Sequence, residues 1–213
     1  MNSMYRIILG SASPRRQQLL EGTDLPFTVE PVNGLDEKHL PPETNPDEIP
    51  LLLARSKSLA FPRPLEADEL LITADTLVFS KVLTETRGSN TCWTVLGKPA
   101  SAREAYLMLE RLSGSCHKVI TGICLRFGDQ KAHPEPIVFS DYSLVWFMPL
   151  LQEEISYYVN KYKPYDKAGS YGVQEWIGYI GIERIEGSYF NVMGFPVHLL
   201  WKHLKELHVI SFS

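Results

Sequence analysis

The chain has 213 residues and a mass of 24.2 kDa, and 44% of its residues are hydrophobic while 22% are charged. Such a chain can bury a substantial core, which excludes an intrinsically disordered protein. Its 21 Lys and Arg residues against 25 Asp and Glu residues give a formal charge of −4. Because proteins that bind DNA or RNA backbones normally carry a basic surplus, this balance argues against a nucleic-acid polymer as partner. A small polyanion remains compatible, since a few cations are enough for one phosphate chain.

The three cysteines, Cys92, Cys116 and Cys124, form no CxxC pair. We therefore expect reduced thiols in a reducing compartment rather than a disulfide framework or a zinc site. No stretch approaches the roughly 20 apolar residues that span a bilayer. The apolar segment near the amino terminus is too short for the core of a signal peptide. The sequence predicts a cytoplasmic protein with no membrane association.

Apolar runs and turn residues predict alternating strands and helices in a single domain over residues 1–213. The predicted strands are Tyr5–Leu9, Leu70–Ser80, Lys118–Phe127 and Ile137–Phe147, the last two forming an antiparallel pair. The first predicted helix is capped by Ser13 and stops at Gly22, and another begins at the capping box Ser101–Glu104 and stops at Gly114. The other predicted helices are Asp47–Phe61, Leu151–Tyr162 and Val197–Leu207. We also expect Tyr179–Glu186 and Tyr189–Val192 to form a hairpin that turns at Gly187. This order of elements predicts an α/β fold with a mixed sheet.

The first candidate for chemistry is the segment LGSASPRR at residues 9–16. It places a tight turn of small residues between a strand and a helix, and it puts Arg15 and Arg16 in the first helical turn. Arginine is unfavourable at this positive end of the helix dipole, whereas anions bind there. The pair therefore points to an anionic ligand. The alternative is two solvated arginines on a surface helix.

The second candidate is Asp75, which interrupts the otherwise apolar strand LITADTLVF. A buried carboxylate needs a cation, a metal or several hydrogen-bond donors. Metal ligation or general-base catalysis would use such a group, and a structural hydrogen bond at the end of a strand is the alternative. The six histidines show no HxxxH or HExxH spacing, which argues against zinc.

Three further segments carry weaker signals. Lys57 lies on the predicted second helix and Lys98 lies between Gly97 and Pro99, but isolated lysines are mostly solvated. The loop DKAGSYGVQ at residues 166–174 contains glycines that allow close approach of a ligand. A plain connector is equally consistent with that loop. The chain has no P-loop, no GxGxxG after a strand and no GxSxG.

Taken together, these segments resemble the Maf family, the septum-formation-protein homologues that act as nucleoside triphosphate pyrophosphatases. The resemblance runs from Ile7 to about Leu204, and its pieces occur in the order of the family: LGSASPRRQQLL, the Glu of LDE, the Lys of ARSK, ITADTLV, LGKP, LSGSCHKVITG, DKAGSYGVQ and EGSYFNVMGFP. It implies a mixed α/β fold with two lobes around a cleft, similar to that of inosine triphosphate pyrophosphatases. The implied activity is hydrolysis of dTTP or UTP, and of some modified pyrimidine nucleotides, to the monophosphate and pyrophosphate with a divalent cation, Mg²⁺ or Mn²⁺.

The resemblance also implies roles for single residues. Asp75 matches the catalytic acidic residue, described in the family as the proton acceptor, and Glu37 matches its acidic companion near the metal. The resemblance thus implies Asp75 and Glu37 as metal ligands and Asp75, Glu37 and Lys57 as catalytic residues, with the role of Asp75 open between metal ligand and base. The triphosphate-binding positions are matched by Ser11, Arg15, Arg16, Lys57 and Lys98. The positions associated with substrate choice are matched by Arg15, Thr76 and Gln174. An amide such as that of Gln174 offers both a donor and an acceptor to a pyrimidine edge.

Two segments depart from the pattern of the family. Residues 83–95 are longer than the tight turn of most relatives, and we expect an elaborated hairpin loop near the mouth of the site that modifies substrate entry or has no function. Glu175 and Trp176 follow Gln174 where many relatives have a glycine, which bears on the shape of the base pocket and on the preference for dTTP and UTP. Hydrolysis of 7-methyl-GTP and a nucleotide-sensing role in cell division are the alternative functions. A homodimer is compatible with the resemblance.

Overall fold

The computed structural model of the chain describes residues 2–32, 45–82 and 92–212. It contains nine strands in these residues: β1 Asn2–Ser3, β2 Arg6–Leu9, β3 Phe27–Val29, β4 Glu69–Val82, β5 Cys92–Leu96, β6 Cys116–Phe127, β7 Ile137–Phe147, β8 Ile182–Glu186 and β9 Ile210–Ser211. The α-helices over the same ranges are α1 Pro14–Glu21, α2 Ile49–Leu59, α3 Ala102–Leu112, α4 Gln152–Tyr162, α5 Trp176–Gly181, α6 Tyr189–Met193 and α7 Val197–Glu206. Short 3-10 helices occur at Pro46–Glu48 and Ala168–Ser170.

Seven of these strands form one mixed sheet. Its order is β3-β2-β4-β6-β7-β8, and β5 pairs with β4. Strand β2 is parallel to both β3 and β4, whereas β5 is antiparallel to β4 and β8 is antiparallel to β7. The predicted α/β class with a mixed sheet is confirmed, and β6 and β7 are neighbours as expected.

The chain divides into two compact units. The first unit comprises Met1–Asp75, Thr121–Asp141 and Gly194–Ser213. Its core contains β2 and the start of β4, whose residues Ile8 and Leu71 pack with Phe61. Strands β1 and β9 form a small antiparallel sheet in the same unit.

The second unit comprises Thr76–Ile120 and Tyr142–Met193. Helices α3 and α4 pack against each other in this unit. Its buried side chains include Phe79, Leu109, Val145 and Tyr158. Helix α3 begins with the predicted cap, because Ser101 Oγ accepts from the Glu104 N–H at 3.2 Å. The Glu104 carboxylate accepts from the Ala100 N–H at 2.8 Å, so the reciprocal bond of the box falls one residue earlier.

The predicted hairpin around Gly187 is wrong. Ile182–Glu186 is a strand, but it pairs with β7, and Tyr189–Met193 is the helix α6. The Ser188 hydroxyl accepts from the Asn191 N–H at 3.3 Å, and the buried Asn191 amide donates to Val119 O and Ser143 Oγ. These bonds favour a helical turn over the extended conformation that Tyr, Phe and Val prefer.

The bounds of one predicted helix and of one predicted strand are also corrected. The helix expected over Asp47–Phe61 consists of the 3-10 helix Pro46–Glu48 followed by α2. Residues 179–181, expected in a strand, close helix α5. Of the expected hairpin loop at residues 83–95, residues 83–91 lie outside the described part of the chain, and the later ones belong to β5.

Candidate active site

The segment that follows β2 in the first unit lies directly against β4. The Gly10 N–H donates to Ile72 O at 2.8 Å. A Cβ atom at Gly10 would come within 2.8 Å of Thr73 Cγ2, so a glycine is required for this close approach. The approach brings Ser11 and the beginning of α1 next to the strand that carries Asp75.

Arg16 extends from the first turn of α1 into a polar environment of the first unit. Its Nη1 donates to Ser11 Oγ at 3.3 Å, and its Nε donates to Gly194 O at 2.9 Å. Burial lowers the pKa of the Arg16 guanidinium from its ordinary value, and the negative charge of Asp75 acts in the opposite direction. A guanidinium remains charged in proteins, so this half-buried position holds a positive charge next to the Ser11 hydroxyl.

Arg15 lies beside Arg16 in the first turn of α1 and is half-buried. Its positive charge also lowers the pKa of Arg16. Ser13 occupies the N-cap position, but its side chain makes no capping hydrogen bond. The start of α1 therefore combines two neighbouring cations with the positive end of a helix dipole, as the sequence predicted.

Asp75 and Lys57 form an ion pair within the first unit. Asp75 is only 6% exposed, and Lys57 Nζ donates to its Oδ1. Because a buried carboxylate is costly without a cationic partner, this pair explains how β4 tolerates an acidic residue. Asp75 is also close enough to Arg16 for their charges to interact.

Two contacts hold helix α2 where Lys57 reaches Asp75. The Thr73 hydroxyl donates to Ala54 O at 2.7 Å. On β6, a Cβ atom at Gly122 would lie 2.4 Å from Pro50 O, so the helix lies against strand backbone with no side chain between them. Thr73 and Asp75 lie on the same face of β4, because side chains alternate along a strand.

In the described part of this site, the carboxylate of Asp75 is the candidate ligand for a divalent cation. Glu37, the second predicted ligand, lies outside the described residues. In the described part of the chain no group of three or more His, Cys, Asp or Glu side chains is placed to hold a metal ion. Mg²⁺ is commonly bound by one or two carboxylates together with phosphate oxygens of a substrate. The Asp75 carboxylate is therefore a suitable protein ligand for a cation that arrives with a phosphate chain.

Thr76, Lys98 and Gln174 belong to the second unit. Thr76 directly follows Asp75 and is half-buried, whereas Lys98 is exposed. The Gly97 carbonyl accepts from the Gly169 N–H at 3.1 Å, which brings the LGKP and DKAGSYGVQ segments together. Gly169 has φ +66, and a Cβ atom there would lie 2.9 Å from Val78 Cγ1, so this junction requires glycine.

The sequence did not indicate the interactions of Lys167, Tyr158 and Glu175 in the second unit. Lys167 is buried and pairs with Asp166 at 2.8 Å and with Glu175 at 3.0 Å. The Tyr158 hydroxyl donates to Glu175 Oε2. Two features of the sequence drew attention to this region: the DKAG motif and the presence of Glu175 where many relatives have a glycine. Neither feature identified the contacts between these three side chains.

These features place the chain in a class of α/β proteins with a mixed sheet. Its cationic site is built from the start of a helix and a buried Asp–Lys pair, and this site suits a small anionic ligand. The model of the family described as "Maf-like protein" matches residues 6–207. The chain therefore belongs to the Maf family.

Curated relatives match nearly the whole chain. A protein of Parabacteroides distasonis named dTTP/UTP pyrophosphatase is 49% identical over 94% of this chain and 95% of its own length. Proteins of the same name from Porphyromonas gingivalis and Phocaeicola vulgatus are each 46% identical over 95% of this chain, and the alignments cover 94% and 96% of those proteins. A solved HAM1 protein from Coxiella burnetii is 17% identical, with a TM-score of 0.41 over 68% of this chain and 73% of that one.

Proposed function

We propose that this chain is a nucleoside triphosphate pyrophosphatase that hydrolyses dTTP and UTP to the monophosphate and pyrophosphate. The observation that carries the proposal is the 49% identity, over 94% of the chain, to a protein named dTTP/UTP pyrophosphatase. The buried Asp75–Lys57 pair beside Arg16 supports it. Both a carboxylate and several cations are useful for cleaving a phosphoanhydride. Modified pyrimidine nucleotides are further substrates of the proposed enzyme.

In the proposed reaction, a water molecule attacks the α-phosphorus. A bond forms between the water oxygen and the α-phosphorus, the bond from that phosphorus to the bridging oxygen breaks, and pyrophosphate leaves. Asp75 accepts the proton of the attacking water. Lys57 keeps the Asp75 carboxylate oriented through the bond to Oδ1, which favours a fixed position for the proton acceptor.

The proposed binding groups for the triphosphate are Ser11, Arg15, Arg16, Lys57 and Lys98. The half-buried guanidinium of Arg16 is suited to this role because charge–charge attraction is stronger where water is partly excluded. A Mg²⁺ or Mn²⁺ ion held by Asp75 and Glu37 would neutralise part of the phosphate charge when bound. Arg15, Thr76 and Gln174 are the proposed residues for recognition of the nucleoside.

Several further properties remain predictions of the same proposal. They are a single functional domain, a cytoplasmic location, a homodimer and the absence of a nucleic-acid polymer as partner. In the described residues, no helix has the length and apolar character needed to cross a membrane.

The test is release of pyrophosphate, rather than orthophosphate, from a panel of dTTP, UTP, dCTP and 7-methyl-GTP with Mg²⁺, with Mn²⁺ and with EDTA. We expect the highest kcat/KM for dTTP and UTP and a loss of turnover with EDTA. A higher kcat/KM for 7-methyl-GTP than for dTTP and UTP would contradict the proposed substrates and favour the alternative activity on 7-methyl-GTP. No turnover of any nucleotide by metal-replete protein would contradict the enzymatic function, and binding without turnover would favour a nucleotide sensor.

A further inference from the structure

Gln174 lies in a short turn whose two ends are joined. The Glu175 N–H donates to Gly172 O at 3.0 Å, so Val173 and Gln174 occupy the two central positions of a four-residue turn. The Gln174 Oε1 atom is buried and has no hydrogen-bond partner in the described part of the chain. A buried acceptor without a partner is costly unless a ligand supplies the donor.

Both ends of this turn meet at the hydroxyl of Tyr158. The Gly172 N–H donates to the Tyr158 oxygen at 3.1 Å, and the Tyr158 hydroxyl donates to Glu175 Oε2. Tyr158 is fully buried on α4. Burial, together with the hydrogen bond to Glu175, raises the pKa of Tyr158 above its ordinary value. The hydroxyl therefore keeps its proton and remains a donor to the carboxylate.

The Glu175 side chain is fixed at its other oxygen as well. Oε1 lies 3.0 Å from Nζ of the buried Lys167. A Cβ atom at Gly172 would lie 2.8 Å from Glu175 Cδ, so glycine leaves the space in which the carboxylate folds back over the turn. We define the Tyr158–Glu175 clamp as these two side chains together with the Gly172 N–H that donates to the Tyr158 oxygen.

We propose that Tyr158 and Glu175 are positioning residues that hold the Gln174 amide for recognition of a pyrimidine base. The inference rests on the proposed function, since it assigns a supporting role within the same site. Thymine and uracil carry a ring N–H between two carbonyl groups. A fixed amide oxygen can accept from that N–H while the amide nitrogen donates to a neighbouring carbonyl. Without the clamp, the turn has more conformations, and part of the binding energy goes into ordering it.

The test measures KM and kcat for dTTP with Tyr158→Phe and Glu175→Ala, each in the native chain and in a Gln174→Ala background. In the native chain we expect KM to rise about tenfold, which corresponds to about 1.4 kcal/mol, with kcat changed much less. In the Gln174→Ala background the same substitutions should leave KM nearly unchanged, because the amide that they position is gone. Glu175→Gln, which keeps an acceptor for the Tyr158 hydroxyl, should recover most of the loss.

The matched control is Tyr157→Phe, which removes the hydroxyl from the preceding, 44% exposed residue of α4 and should leave KM unchanged. An unchanged KM in Tyr158→Phe and Glu175→Ala, or the same rise with and without Gln174, would overturn the inference while leaving the pyrophosphatase proposal intact. Wild-type protein that releases no pyrophosphate would overturn both. If Tyr158→Phe fails to fold, the comparison of Glu175→Gln with Glu175→Ala decides, since equal KM values would contradict the clamp.

Discussion

Lys57 of helix α2 donates a hydrogen bond to Asp75 of strand β4, and both side chains are largely buried. The pair solves two problems at once. It offsets the cost of burying a carboxylate in an apolar strand, and it holds a carboxylate and an ammonium group together where Arg16 adds a second positive charge. The side chains of Lys57, Arg16 and Asp75 together carry one net positive charge, which attracts a phosphate chain.

Replacing Asp75 by Asn tests the catalytic role of the carboxylate. Asn has nearly the same size but cannot accept a proton at neutral pH, so we expect kcat to fall by at least about 100-fold. Nucleotide binding should be kept, because the proposed triphosphate-binding cations are unchanged. Pyrophosphate release and equilibrium binding of dTTP give the two measurements. Asp47→Asn, at an exposed position before α2, is the control, and equal loss of turnover in both variants would contradict the role of Asp75.

The energetic coupling of Lys57 and Asp75 is measurable by a double-mutant cycle. Lys57→Met leaves the buried Asp75 carboxylate without this ammonium, and we expect the free energy of unfolding to fall by about 3 kcal/mol. The same substitution beside Asp75→Asn should cost clearly less, since no charge is then left unpaired. Denaturant unfolding of the four proteins measures the difference. Simple additivity of the two substitutions would show that the pair contributes nothing to stability.

Much of the fold was predictable because its sequence signals are local. Ser13, Pro14 and Gly22 delimit α1, and Ser101 begins α3, as the structure confirms. The segment Tyr189–Val192 was mispredicted because its conformation depends on the buried bonds of Asn191 to Val119 and Ser143, which are distant in sequence. Strand preference of the aromatic residues was the only signal available along the chain.

The residues of the candidate site were proposed from the sequence, whereas their contacts were only partly predictable. The sequence indicated that Asp75 needs a partner, but it could not identify Lys57, which is 18 positions away, without the resemblance to a family. The contacts of Glu175 were not predictable, because its partners Tyr158 and Lys167 are brought to it by the packing of α4 and of the turn at Gly172. Residue patterns carry no information on such contacts.

Gly122 is expected to be sensitive to the addition of a single methyl group. A Cβ atom there would lie 2.4 Å from Pro50 O at the start of α2, so the helix that carries Lys57 must shift. We expect Gly122→Ala to lower the free energy of unfolding by about 2 kcal/mol and also to lower kcat. Gly22→Ala is the control, because its Cβ atom would approach backbone atoms no closer than 3.5 Å. Equal unfolding midpoints of the two variants would contradict close packing of α2 on β6.

His117 is the feature of the second unit that should make stability depend on pH. It is fully buried, its Nε2 lies 2.7 Å from the Tyr171 hydroxyl, and its Nδ1 has no hydrogen-bond partner in the described residues. Burial lowers the pKa of His117 to about 3, from an ordinary value of 6.5. The folded protein therefore holds the imidazole neutral at pH values where the unfolded chain binds a proton.

Since the folded pKa of His117 is below the unfolded one, its contribution to stability is complete above pH 6.5 and is lost as the pH falls towards 3. The expected slope from this group is up to about 1.4 kcal/mol per pH unit within that window. His117→Gln removes the titration and should flatten the dependence of the free energy of unfolding between pH 6.5 and pH 4, whatever it does to stability at pH 7. Denaturant unfolding at half-unit pH intervals measures both slopes. Equal slopes for wild type and His117→Gln would show that His117 is not held neutral by the fold.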